Sequence, residues 1–124
     1  GEYHWFAGNF LRYAGPLTPQ DLPIDAHMLI ALAAPRPIFI GAGTIETGDG
    51  WVDPKGSFLA AAAASPVWSL LGRRGLAATA FPPVRTPVVA GELGFRQHQG
   101  GHNNRDNWPV FIDFASTYLF RKEH

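Results

Sequence analysis

Apolar positions along this chain switch between helical spacing and short continuous runs. Leu29, Ile30 and Ala33 recur at helical spacing after Asp25, a side chain suited to an N-cap, and Pro35 stops that run. Residues 36–43 form a short, near-continuous apolar run, the pattern of a strand covered on both faces. Asp53-Pro54 opens a second helix, because Asp caps and Pro suits the first turn. The alanine-rich stretch from Gly56 through Ala64 follows from helix propensity. Pro66 is expected to interrupt it, with one more helical turn from Val67 to Leu71 before Gly72. Residues 92–98 read as a second strand. Val110, Phe111, Phe114, Ala115, Tyr118 and Leu119 form the apolar stripe of a last helix over 107–121, followed by the charged end Lys122, Glu123 and His124.

The order helix, strand, helix, strand, helix is an α/β pattern. A right-handed crossover makes the two strands parallel and brings both following loops to one edge. Two strands leave their edges open, so these residues are expected to complete a larger doubly wound sheet. Residues 1–24 are aromatic and irregular, suited either to covering such a sheet or to walling a binding cleft. The connection over 73–90, with Pro82-Pro83 and Pro87, is long enough to be expected functional or exposed.

Composition narrows the class. The 124 residues are enough for one domain, are 46% hydrophobic and carry a formal net charge of +0. That balance gives no support for a nucleic-acid or anionic-membrane partner. No run approaches the ~18 apolar residues of a membrane span. Without cysteine, neither disulfides nor thiolate metal sites are available. The start, Gly1-Glu2-Tyr3-His4-Trp5, lacks an initiator Met and a signal-peptide pattern, so the chain is expected to be cut from something longer. Aromatic residues make up 13%, a density suited to a substantial core, a carbohydrate-facing surface, or both.

The candidate chemistry lies on the two loops. Gly100-Gly101 separates His98 from His102 at a strand-to-helix turn, where a catalytic side chain of an open α/β sheet would sit. His102 is the candidate base; the plain alternative is a simple turn. If both loops share an edge, Asp49 or Glu46 meets His102, and a carboxylate on an imidazole N–H fixes its tautomer. Acid before histidine matches the last two members of the α/β-hydrolase order serine, acid, histidine. No Gly-x-Ser-x-Gly occurs, and Ser57, Ser65, Ser69 and Ser116 all fall in predicted helices, which leaves the nucleophile outside these residues. A metal site of His98, His102 and Asp49 competes, although the glycine pair argues against a helix that would align the two histidines. His98 otherwise packs beside the site, and His27 is a polar helix-face residue. Trp51 suits a sugar ring, or else caps the core.

These residues resemble a known family. Tyr3-His4-Trp5-Phe6-Ala7-Gly8-Asn9-Phe10 with Arg12-Tyr13 is similar to a segment of the bacterial glucuronoyl esterases, carbohydrate esterase family 15. So are Asp21-Leu22-Pro23-Ile24-Asp25-Ala26-His27 with Leu29-Ile30-Ala31-Leu32, and Ala34-Pro35-Arg36-Pro37. So too are Gly48-Asp49-Gly50-Trp51-Val52-Asp53-Pro54-Lys55-Gly56, Pro66-Val67-Trp68 with Leu70-Leu71-Gly72, and Gly100-Gly101-His102 followed by Asn107-Trp108.

The resemblance implies the carboxyl-terminal portion, over residues 1–124, of a single α/β-hydrolase domain. It implies cleavage of esters that link 4-O-methyl-glucuronic acid on xylan to lignin alcohols, by serine, histidine and acid, with no metal or other cofactor. By position, His102 looks like the base, Asp49 like the acid and Trp51 like the tryptophan that contacts the sugar. Some members carry the acid as a glutamate nearer the serine. The nucleophile and the basic groups for the substrate carboxylate are expected outside this chain, and the protein is expected to be secreted or periplasmic. Another esterase of this fold, acting on acetyl esters or peptides, and a non-catalytic sugar-binding module are the alternatives.

Overall fold

The computed structural model describes residues 3–120. Three short 3-10 segments, Tyr3–Trp5, Gly8–Ala14 and Pro19–Asp21, lead into helix α1 (Ala26–Ala31) and strand β1 (Ile38–Ala42). Two 3-10 turns, Ile45–Thr47 and Gly50–Val52, precede helix α2 (Pro54–Leu70). Strand β2 (Leu93–Gln97), a 3-10 turn (Arg105–Asn107) and helix α3 (Trp108–Leu119) complete the order. The expected helix-strand-helix-strand-helix series is present, and the fold is α/β.

β1 and β2 pair in parallel, with Ile38 opposite Leu93 and Ala42 opposite Gln97. Side chains alternate across the pleat, so each strand serves two faces. On the first face Leu93 packs with Ala64 and Trp68 of α2, and Ile30, Ala31, Ile38 and Leu76 close around them. Phe95 meets Phe58 and Phe81 at ring separations of 5.3 and 5.8 Å. On the opposite face Phe39 lies 5.7 Å from Phe114 of α3, and Gly94 leaves room for the Phe114 ring. Helices therefore cover both faces, as the continuous apolar runs require.

The caps follow the sequence. Asp25 accepts a hydrogen bond from the Ala26 N–H, and Asp53 accepts from the Gly56 N–H at 2.9 Å with Pro54 in the first turn. Asp53 holds this cap from the left-handed region, at φ 45°.

Three expectations need correction. Pro66 does not interrupt α2, which runs unbroken through it. Proline removes one helix hydrogen bond, a cost of ~3 kcal/mol. Here Pro66 lies on the exposed side, while buried Ala61, Ala64 and Trp68 anchor the helix on either side of it. α1 stops at Ala31, and its packed side is Ile30 and Ala31 with Ala34 beyond, leaving Leu29 exposed. The stripe of α3 ends one residue early. The Tyr118 hydroxyl donates to the Gly91 carbonyl at 2.8 Å, whereas Leu119, a further ~100° around the helix, is 77% exposed. Residues 121–124, with the charged end, lie outside the described residues.

The connection over 73–90 does structural work. Val88 exchanges two 2.8 Å backbone hydrogen bonds with Phe95, so this segment covers part of the outer edge of β2. β1 pairs with no other strand among the described residues. Exposed Leu32, Leu70, Leu71, Ile112 and Phe120 add apolar surface that needs cover. The isolated 124-residue chain is accordingly expected to melt broadly and to bind a hydrophobic dye at room temperature. A sharp calorimetric transition without dye binding would contradict this.

Candidate active site

The parallel register brings the loops after β1 and β2 to one edge of the sheet. They interlock there. The Thr44 N–H donates to the Gly100 carbonyl at 3.0 Å, and the His98 N–H to the Ala42 carbonyl at 2.8 Å. Gly43 is the point of closest approach. A Cβ there would collide with the Gly100 carbonyl oxygen and stand 2.8 Å from both Asp49 Oδ2 and the Gly101 oxygen. Glycine is what lets the three groups converge.

The first loop folds so that Asp49 turns inward. The Asp49 N–H bonds back to the Thr44 carbonyl, and Gly48, at φ 96°, makes the reversal. The Asp49 side chain is 3% exposed, yet both its oxygens are matched. Oδ2 accepts from the Gly43 N–H at 2.5 Å, and Oδ1 accepts from His102 Nδ1 at 2.9 Å. A carboxylate only accepts, so the proton of this bond sits on Nδ1. The His102 side chain is 67% exposed, and Nε2 has no hydrogen-bond partner among the described residues. The arrangement can take a proton at Nε2 and stabilise the resulting imidazolium at Nδ1.

Of the two candidate carboxylates, Asp49 is the one hydrogen-bonded to His102. Glu46 is exposed on the first 3-10 turn, and no hydrogen bond joins it to His102 among the described residues. Trp51 does not cap the core. It is 60% exposed, its ring lies 4.8 Å from that of His102, and the Trp5 ring lies 6.4 Å from it. The first segment thus reaches the loop that carries Asp49 through Trp5.

His98 does not join the other two. It is 1% exposed and faces α3, with Nε2 3.1 Å from the Gly101 carbonyl and Nδ1 2.8 Å from Asn107 Nδ2. Both ring nitrogens are engaged, which removes them as metal ligands. Among the described residues no group of three or more His, Asp or Glu is placed to hold a metal ion.

Sequence reasoning missed the polar layer beneath the loops. Gln97 Nε2 donates to the Gly43 carbonyl at 3.1 Å. Arg96 Nη1 donates to Asn107 Oδ1 and to the Asp106 carbonyl, each at 2.7 Å. Period-2 alternation from Gly94 through Arg96 to His98 was the available signal, since it puts both polar residues on one face. Nothing local marked Asn107, which looks like an ordinary residue at a helix start. A cavity of about 320 Å³ also opens on this face, lined by Phe39, Gly41, Asn104, Asn107, Trp108 and Phe111; neither His102 nor Asp49 lines it.

Comparison with known proteins points one way. The family model described as glucuronyl esterase, fungi, matches residues 1–72. Carbohydrate esterase MZ0003, from an unknown prokaryotic organism, is 40% identical over 117 residues, which is 94% of this chain and 26% of that protein. The 4-O-methyl-glucuronoyl methylesterase of Schizophyllum commune is 33% identical over 122 residues, 98% of this chain and 25% of that one. Among solved structures, a CE15 glucuronoyl esterase from Teredinibacter turnerae superposes with a TM-score of 0.88 at 50% identity, covering 96% of this chain and 28% of that one. The chain spans about a quarter of the length of these curated relatives.

Gly43 gives the site a direct test. Gly43→Ala forces a methyl group against the Gly100 and Gly101 carbonyls and the Asp49 carboxylate. It is expected to cost about 1–3 kcal/mol of stability by denaturant unfolding. Gly8→Ala, where a Cβ meets nothing within 4 Å, should stay near zero. Equal effects at the two positions would contradict the interlocked loops.

Proposed function

The chain belongs to the glucuronoyl esterases, carbohydrate esterase family 15, and from that premise we propose that it supplies the base and the acid of a serine esterase. The substrate we propose is the ester between a 4-O-methyl-glucuronoyl group of xylan and a lignin alcohol. The observation that supports this reading most is the 2.9 Å hydrogen bond from His102 Nδ1 to buried Asp49, with Nε2 left open.

The chemistry follows from that geometry. A serine hydroxyl gives its proton to His102 Nε2 as its oxygen attacks the ester carbonyl. Asp49 holds the ring and stabilises the imidazolium. His102 then protonates the departing alcohol, and a water attacks the acyl-enzyme by the same proton transfers in reverse roles. The serine comes from sequence beyond these 124 residues, within the same α/β-hydrolase domain. The serines here are poor candidates, because Ser57, Ser65 and Ser116 donate to backbone carbonyls of their own helix or its entry and Ser69 lies in α2.

Trp51 is the proposed platform for the sugar. Its exposed ring beside His102 offers an apolar face for the pyranose and an indole N–H for a hydroxyl. A plant cell-wall polymer cannot enter a cell, so the proposed enzyme works outside the cytoplasm.

In an active enzyme that carries this segment, His102→Ala is expected to lower kcat/KM on benzyl glucuronate by at least about 10³-fold. Asp49→Asn should lower it by about 10²- to 10⁴-fold, since the amide can present a donor to Nδ1 and favour the wrong tautomer. Turnover near the parent level in His102→Ala would reject the reading. Faster hydrolysis of acetylated xylan than of the glucuronate ester would move it to another esterase class. Trp51→Ala should raise KM by about 2- to 12-fold, matching the ~0.5–1.5 kcal/mol worth of an aromatic contact, with kcat little changed. An unchanged KM would remove the platform.

A further inference from the structure

We propose that His98 and Asn107 are positioning residues for His102, acting through a hydrogen-bond chain whose direction is fixed at both ends. The proposal rests on the reading of His102 as the base and deepens it.

The chain runs from Arg96 to the loop. Arg96 Nη1 lies 2.7 Å from Asn107 Oδ1, Asn107 Nδ2 lies 2.8 Å from His98 Nδ1, and His98 Nε2 lies 3.1 Å from the Gly101 carbonyl oxygen. A guanidinium can only donate, so Asn107 must face it with its oxygen. The amide nitrogen then faces His98, so Nδ1 must accept. The proton of a neutral ring therefore sits on Nε2, aimed at a carbonyl that can only accept. Donor and acceptor are decided at every step by the two groups that have no choice. His98 is thereby held as the neutral Nε2–H tautomer, the opposite of the Nδ1–H form that Asp49 imposes on His102.

What this chain secures is the backbone immediately before His102. The Gly101 carbonyl also accepts from the Asn103 N–H at 2.8 Å, but that bond lies within the loop and moves with it. The bond from His98 ties the loop to the end of β2. Two further features support a built arrangement. Gly41 leaves the space that the Asn107 amide fills, since a Cβ there would stand 2.5 Å from Nδ2. His98 and Asn107 are both buried, and no buried side-chain nitrogen or oxygen is left without a partner among the described residues. Without the His98 bond the backbone just before His102 is less constrained, so the ring can shift against Asp49, and a displacement of ~1 Å at a catalytic group can cost on the order of 10²-fold in rate.

The test uses the enzyme that carries the nucleophile, with two substitutions that each keep one half of the imidazole. His98→Gln keeps a nitrogen donor where Nε2 stands and should retain kcat within about 5-fold of the parent. His98→Asn keeps an amide where Nδ1 stands but is too short to reach Gly101, and should lower kcat by about 10- to 100-fold with KM within about 2-fold. Equal kcat in the two variants, or a loss carried by KM, overturns the proposal. A second measurement needs no variant. The nitrogen chemical shifts of His98 in the parent enzyme should report a protonated Nε2 and an unprotonated Nδ1; the other tautomer, or the cation, overturns it. His102→Ala separates the two levels. An active His102→Ala rejects the base itself, whereas an inactive His102→Ala with a fully active His98→Asn rejects the positioning chain alone.

Discussion

A buried carboxylate shared between two loops is the constraint from which the rest of this edge follows. Asp49 is almost wholly out of water, and an ion there is costly unless hydrogen bonds replace its hydration. The replacements come from different parts of the chain: the Gly43 N–H at the end of β1, and the imidazole of His102 beyond β2. Hydrogen bonds to a charged group are worth about 1.5–3 kcal/mol each. Closing the loops and orienting the histidine are therefore one event. The loops cannot part without stranding the charge, and the charge cannot be satisfied without aiming the ring.

The sheet beneath is asymmetric in a way that serves this event. Its α2 face is aromatic and aliphatic, with Phe58, Trp68, Leu93 and Phe95 buried. Its α3 face begins apolar, at Phe39 and Phe114, and turns polar toward the loops, at Arg96, His98 and Asn107. Glycine marks the close approaches on that face. Gly94 lets the Phe114 ring onto β2, and Gly41 lets the Asn107 amide onto β1. One face resists unfolding while the upper end of the other fixes direction, because hydrogen bonds carry orientation that apolar packing does not.

The legible parts of this architecture were those encoded by local pattern. Both strands, their parallel pairing and the common edge of their loops follow from short apolar runs joined by a helix-length crossover. Asp53-Pro54 and Asp25 announced their helices because capping is a local interaction. Pro66 misled for the same reason: its cost is local, but the burial that overrides it, at Trp68 and Ala64, is tertiary. The choice between Glu46 and Asp49 was also beyond local reading. Both stand on one loop, and only the reversal at Gly48 and the N–H of Gly43 decide which carboxylate turns inward. Asn107 was illegible because its hydrogen bonds and the space for its amide depend on Gly41, Arg96 and His98, three residues brought to it by the sheet.

The proposed acid and the proposed base differ sharply in their exposure to water, and that difference has a consequence for charge. Asp49 is dry, whereas the His102 ring is largely exposed. When Nε2 takes a proton, the new positive charge spreads over the ring to Nδ1, 2.9 Å from an oxygen of an almost wholly buried carboxylate. Attraction between unit charges at such a distance is several-fold stronger at a partly buried site than in bulk water. The gain arises only once the proton has moved, so it favours the charged state over the neutral resting one, as differential stabilisation requires. An exposed acid would lose that advantage to solvent, and a buried base would be out of reach of any hydroxyl arriving from outside. Burying one partner and presenting the other is how this edge meets both demands with a single hydrogen bond.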